Sequence, residues 1–344
     1  MEKFYINAQS AVKNGDYLIF WSLNANSLIS YNTVTNEIQA LDIERRSPDW
    51  PECFLFNECV NIGDVVYFAP YSSAYICSYD IKKSDIEYIP LGGKGKFSDI
   101  FIFNESMYLW GWGKNNVYEF DIQSREKTLI KEIEGVFISS NPVLVNERAF
   151  FTTDKKSIVC EYNFISREYN EHKIDGGEVA FNTICYKDEC LYLSGDDNRI
   201  IKWNIENSET NSFVIGNLNI KPEFWNNFLF NCCKIWGAYI YYSPYKANSL
   251  MRFDTINNEI EVVTDFEDAT GGNFIEISTE TLCFIEEIED HQAGCDILIE
   301  KDGKTCKEDM FWVSYESMIF VNAPMSMKES KANSLSRFIS AVKA

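Results

Sequence analysis

A turn phrase recurs along this chain, and few folds can accommodate it. A turn-forming residue and an acid precede an apolar-aromatic run: Gly15-Asp16 before YLIF, Gly63-Asp64 before VVYF, Asn104-Glu105 before SMYL, Asn146-Glu147 before RAFF and Asp188-Glu189 before CLYL. Looser copies stand at Gly237-Ala238, Thr279-Glu280 and Tyr315-Glu316. With the second residue as anchor, successive copies lie 48, 41, 42, 42, 49, 42 and 36 residues apart. A second phrase, an aromatic followed by Asp or Asn, comes 15 residues after most anchors and 14 after the fifth. It reads Tyr31-Asn32, Tyr79-Asp80, Phe120-Asp121, Tyr162-Asn163, Trp203-Asn204 and Phe253-Asp254, and in the seventh copy the same offset reaches Cys295-Asp296. Polar turn residues follow, among them Asn36, Ser84 and Asn258. An Asp or Asn side chain there can accept hydrogen bonds from the backbone of the turn after it.

Each repeat therefore reads as four short strands. Strand A precedes the anchor, as in 97–103 or 181–186, and strand B follows it. Strand C carries the aromatic-acid pair, and strand D comes after the next turn. Four-stranded units at a period of roughly 40–50 residues indicate a β-propeller. The expectation is an all-β fold of four-stranded antiparallel blades in one domain over residues 1–344. There are eight quasi-repeats, with seven blades as the alternative if the last two merge. The segments MYLWGWG (107–113) and LYLSGDD (191–197), followed by YEFDIQSREK and IKWNIENSET, resemble the kelch pattern of strand, small-residue turn, then aromatic-acid pair and turn. The double glycine and late Trp of that family are missing from nearly every repeat. The resemblance implies a propeller fold, which serves both binding scaffolds and enzymes.

The end of the chain bears on ring closure. KANSLMRF (246–253) recurs as KANSLSRF (331–338). The repetition suggests a strand C for an eighth blade. The spacing of Leu335, Phe338, Ile339 and Val342 suits a terminal helix instead. In the strand reading the last blade lacks a strand D, and the N-terminal segment 2–6 is expected to supply it and close the ring, leaving no free edge.

Composition narrows the function classes. The net charge of −21 offers no basic excess to displace the counterions of nucleic acid, and it favours a protein partner with a basic surface. No run of 18 apolar residues suggests a membrane span. Eleven cysteines without a signal-like N-terminus suggest a cytoplasmic protein, and their spacing makes no zinc motif. No cofactor motif is present. Cys59 and Cys233 fall at one repeat position and Cys77 and Cys160 at another, which is how core residues behave.

Tight A–B turns on one face leave the longer B–C and D–A loops on the other, where variation and ligands concentrate. Trp21, Tyr71, Trp110, Trp112 and Tyr245 fall on that face. They read either as a rim of aromatic anchors for a partner or glycan, or as wedges between blades. Only two histidines exist, His172 and His291, which argues against a Ser-His-Asp triad. His172 reads as a solvated strand-end residue. His291 lies near Glu286, Glu287 and Asp290, a set that could hold a divalent cation or be a solvated acidic loop. The leading expectation is a non-enzymatic propeller that binds a protein through its long-loop face. The alternatives are a propeller enzyme, a metal-assisted lyase or hydrolase drawing on Asp196, Asp197 and Glu287, and a carbohydrate-binding module.

Overall fold

The structure, a computed structural model, describes residues 3–320 apart from 7, 23–26, 43–54, 93–95, 112–115, 133–139, 217, 222–226, 268–270, 289–291, 302, 309–311 and 315–317. Seven blades, each of four consecutive antiparallel strands, follow one another in sequence, and the sheet of the first carries a fifth strand. Blade 2 is representative, with strands A to D at Phe56–Ile62, Val65–Pro70, Tyr75–Asp80 and Asp85–Pro90. The A strands of the seven blades are Ala8–Asn14, Phe56–Ile62, Phe97–Phe103, Val143–Val145, Phe181–Lys187, Phe230–Trp236 and Gly271–Ser278. Those of blades 1 and 2, 2 and 3, 4 and 5, 5 and 6, 6 and 7, and 7 and 1 touch, so the A strands surround the axis. Among the described residues no helix is long and apolar enough to cross a membrane.

The two repeated phrases have simple physical roles. At the A–B turns Gly15, Gly63, Asn104, Asn146, Asp188 and Gly237 take positive φ between 47° and 62°, which Gly and Asn tolerate best. At the C–D turns the Asp or Asn of the pair accepts from the turn backbone, as foreseen. Asn163 Oδ1 accepts from the Ile165 and Ser166 N–H groups, both at 2.9 Å. Asp121 and Asp254 do the same in their blades. The turn then closes on a left-handed residue, such as Arg167 with φ 60°.

The eighth repeat does not form a blade. Its two strands separate: Trp312–Ser314 pairs antiparallel with Lys3–Tyr5, and Met318–Phe320 adds in parallel to the outer strand of blade 1, Ile38–Asp42. The N-terminal strand meets a C-terminal one, but in a separate two-stranded ribbon and not as the strand D of an eighth blade that the sequence suggested. Blade 7 already packs on blade 1. Ile275, Ile277, Cys283 and Ile285 share one core with Ala8, Leu18, Phe20 and Ile29. No slot for an eighth blade remains between them. The second KANSL copy lies outside the described residues.

Repeat seven also departs from the sequence reading. Thr281 pairs with Glu300, as Val65 pairs with Asp80, so Glu300 takes the position assigned to Asp296. Asp296 is instead fully buried within strand C, Gln292–Glu300. Strands B and C of this blade, at eight and nine residues, are longer than their counterparts, which shifts the offset.

These turns make a direct prediction for equilibrium urea unfolding. Asn163→Ala removes two acceptor contacts and is expected to cost about 1 kcal/mol. Arg167→Gly relieves left-handed strain of roughly 1–2 kcal/mol. It adds about 0.5–1 kcal/mol of chain entropy, so a small net gain is expected. Destabilisation by Arg167→Gly would contradict this account.

Candidate active site

The inner strands are irregular near their first residues. Register shifts interrupt the A–B ladder between Ala8 and Ala11, Phe56 and Cys59, Phe97 and Asp99, Phe181 and Thr183, and Phe230 and Cys233. Such bulges re-aim side chains and release backbone groups from the ladder. They fall at one height in the ring. Because an A strand begins at the long-loop face, the bulges lie towards that face.

The residues there are polar in almost every blade. Seven residues before the anchors stand Gln9, Asn57, Ser98, Ser140, Asn182, Asn231 and Asn273, one per blade. One residue later stand Ser10, Glu58, Asp99, Asn141, Thr183 and Cys232, with Phe274 in blade 7. Bonds between neighbouring blades help to hold this collar. Asn57 Nδ2 donates to Ser98 O at 3.3 Å, and Asn182 Nδ2 donates to Phe230 O at 2.6 Å. Ser10 Oγ and Cys59 Sγ lie 3.3 Å apart, and Cys232 Sγ reaches Gly272 O at 3.3 Å.

Glu58 and Asp99 are the chemically distinctive members. They occupy the same position on adjacent inner strands and interact electrostatically. Enclosure by the surrounding strands pushes the Glu58 carboxyl up to about 7, against smaller lowering effects from Ser10 and Lys234. The same enclosure, and the neighbouring Glu58, hold Asp99 well above the carboxylate range despite a 2.7 Å bond from the Ile100 N–H. Lys234 and Cys232 belong to blade 6, three blades away around the ring, yet both sense Glu58. Burial raises the Cys59 and Cys232 thiols to about 12, so both are protonated at neutral pH and lack the character of nucleophiles.

The residues singled out from sequence are placed differently. Trp21 is 2% exposed and meets Phe56 of blade 2 edge-on, with centroids 4.5 Å apart. Trp110 is fully buried and meets Phe151 of blade 4 at 4.9 Å. Both rings wedge blades together and offer no surface at a rim. Tyr71 and Tyr245 are half-buried on the long-loop face, Tyr71 with Lys96 over its ring at 5.6 Å. Trp112 lies outside the described residues.

The enzyme candidates of the loops are committed to structure. Asp196 Oδ1 accepts from the Ala180 N–H at 3.0 Å, and Asp197 Oδ2 receives Arg199 Nε at 2.5 Å. The first contact ties the B–C loop of blade 5 to the segment entering that blade, and the second lies where the loop enters strand C. Glu286 is not on a solvated loop. It is 8% exposed within strand B of blade 7, Thr281–Ile288, which Glu287 shares. Asp290 and His291 lie outside the described residues. Among the described residues no three His, Cys, Asp or Glu side chains gather as a metal cage. His172 lies in the outer strand of blade 4, Tyr169–Lys173, but is not a solvated strand end. Its half-buried ring bonds Glu161 at 2.7 Å beside Trp203.

Glu58 and Asp99 were legible as a periodic signal. Counting back from the anchors marks a polar residue in strands that otherwise alternate apolar residues.

Two predictions follow from these placements. Trp21→Ala and Trp110→Ala should each cost about 3–5 kcal/mol through interblade cavities, seen as a lower midpoint in urea. An unchanged midpoint would return these rings to the rim. For Glu58, the folded acidity near 7 lies above the ordinary 4.5, so the folded state holds the proton more tightly. Its burden on stability is absent below about 4.5, grows as pH rises towards 7, and is complete above. Glu58→Gln should therefore stabilise the protein at pH 8 by about 1–3 kcal/mol, reduced by water at the axis, and by little near pH 4. An equal effect at both pH values would refute the assignment.

No family model matches the chain, and no curated protein sequence matches it. Solved structures do. Selenomethionine-substituted virginiamycin B lyase from Staphylococcus aureus superposes with a TM-score of 0.62 at 16% identity, covering 82% of this chain and 94% of that one. A catalytically inactive His-to-Ala variant of the same enzyme with quinupristin gives 0.63 at 16% identity, covering 83% and 95%. A streptogramin B lyase gives 0.61 at 14% identity, covering 89% and 97%. At such identities the likeness establishes a shared propeller fold. These neighbours are lyase propellers and do not confirm the kelch resemblance.

Proposed function

We propose that this chain is a propeller enzyme of the lyase or hydrolase class that works at the axial collar, with Glu58 as its proton-transfer group and Asp99 tuning it. One observation carries this reading. Two carboxyl groups share a position on adjacent inner strands, and enclosure holds one near neutrality, where a single group serves as both acid and base. Catalytic acids and bases are tuned by burial and like-charge neighbours in this way. The scaffold reading loses two of its anchors, because Trp21 and Trp110 are enclosed.

The lyase neighbours support the class at the level of the fold. One of them is inactive when a histidine is replaced by alanine. This chain has two histidines. His172 sits on an outer strand, remote from the axis, and His291 lies outside the described residues. In this reading the carboxyl pair does the proton chemistry, Ser10 orients Glu58, and Lys234 supplies the nearby positive charge.

The test begins with a mass-spectrometric screen of the purified chain against esters, amides, glycosides and quinupristin. With the substrate so found, Glu58→Gln should lower kcat at least about 100-fold. The melting temperature should hold or rise. The wild-type pH–rate profile should bend near 7, and residual activity of the variant should lack that bend. Wild-type turnover by Glu58→Gln would overturn the proposal.

A further inference from the structure

The collar has two unlike sides. Blades 2 and 3 bring the carboxyl pair. Blades 6, 7 and 1 bring Asn231 and Lys234, Asn273, and Gln9. These four side chains are half-buried, and none makes a hydrogen bond or ion pair with a described residue. Elsewhere in the collar several polar groups are engaged. Ser98 Oγ donates to Trp110 O at 3.4 Å, Ser140 Oγ accepts from the Thr152 N–H at 3.0 Å, and Thr183 and Ser194 share a 2.6 Å bond. Three amides and one lysine without a hydrogen bond to a described residue thus stand in three consecutive blades.

Lys234 decides the charge of the ligand. Lys234 is half-buried and, although Glu58 senses its charge, it makes no ion pair with a described residue, so its lost hydration is repaid only in part. A bound anion repays it. A cationic ligand would meet Lys234 with repulsion, and a neutral one would add nothing to what Glu58 already supplies. The amides decide the rest. Each offers donors and an acceptor, the pairing that vicinal hydroxyl groups match. Asn182 adds an acceptor of the same kind. The residue is 8% exposed, its nitrogen is engaged by Phe230, and its Oδ1 has no partner.

We propose that the collar binds a polyhydroxylated carboxylic acid, a sugar acid, with its carboxylate on Lys234 and its hydroxyl groups on Gln9, Asn231 and Asn273. This rests on the reading that the axis is the reactive site, and it names the substrate class for that site. The ligand's carboxylate end then lies on the Lys234 side, with Glu58 across the axis from it.

The experiment measures melting temperature of the full chain with gluconate, glucuronate and galacturonate, each against its carboxyl-free counterpart sorbitol, glucose or galactose. At least one sugar acid is expected to raise the melting temperature by about 1–3 °C while its counterpart leaves it unchanged. Lys234→Gln should abolish the shift, and Lys234→Arg should keep most of it. Asn273→Leu should weaken it, which keeps the test decisive if Lys234→Gln folds poorly. Glu58→Gln should retain the shift. Equal shifts with the neutral counterparts, a shift surviving in Lys234→Gln, or no shift with any sugar acid would each overturn the proposal. The two readings fail separately. Sugar-acid binding with full turnover by Glu58→Gln removes the proton-transfer role and leaves the ligand class. Loss of turnover in that variant without sugar-acid binding does the reverse.

Discussion

The contact between blade 7 and blade 1 is the constraint on which the rest depends. A four-stranded blade has two faces, and each must be covered by a neighbour. Six of the seven interfaces join blades that are consecutive in the chain. The seventh joins residues more than 200 positions apart, where Ile275, Ile277, Cys283 and Ile285 meet Leu18, Phe20 and Ile29. Loop-closure entropy must be overcome before that interface contributes anything. Once it forms, every blade face is covered and the inner strands are held in a ring. The strand pair Lys3–Tyr5 with Trp312–Ser314, and the strand Met318–Phe320 against blade 1, add chain-end contacts at the same seam.

Ring closure also makes the collar chemically unusual. Seven inner strands converging on one axis bring their bulges to one height, where side chains from non-neighbouring blades face each other. A carboxylic acid there has lost much of its hydration and faces another carboxyl group, so it keeps its proton up to about neutral pH. The same enclosure keeps the nearby thiols protonated. A similar Glu on an outer strand behaves otherwise. Glu171, on the outer strand of blade 4, is paired with Lys155 at 2.5 Å, which lowers its carboxyl.

Much of this was readable beforehand in the repeats. The A–B turn glycines and asparagines, the capping side chains Asn32, Asp121, Asn163 and Asp254, and the four-strand unit all act within a few residues of themselves. Local chemistry is enough to place them. Aromatic residues at strand ends were ambiguous, because Trp21 and Trp110 carry the same local pattern whether they face solvent or Phe56 and Phe151 of the next blade. Repeat seven was misread because two longer strands moved its Asp296 from a turn to a buried strand centre.

What the sequence determined by itself is the repeating unit, its strand order and its turn chemistry, since these depend on contacts within about forty residues. The periodic polar positions that became the collar were present in it too, at fixed distances before each anchor. Only the tertiary structure decided that seven blades close the ring and that the eighth hairpin splits between two partners. It alone decided that Glu58 and Asp99 stand on adjacent inner strands, where the Lys234 charge reaches Glu58. Those outcomes depend on how much room the closed ring leaves and on which walls face each other across its axis. Neither quantity is a property of any single repeat.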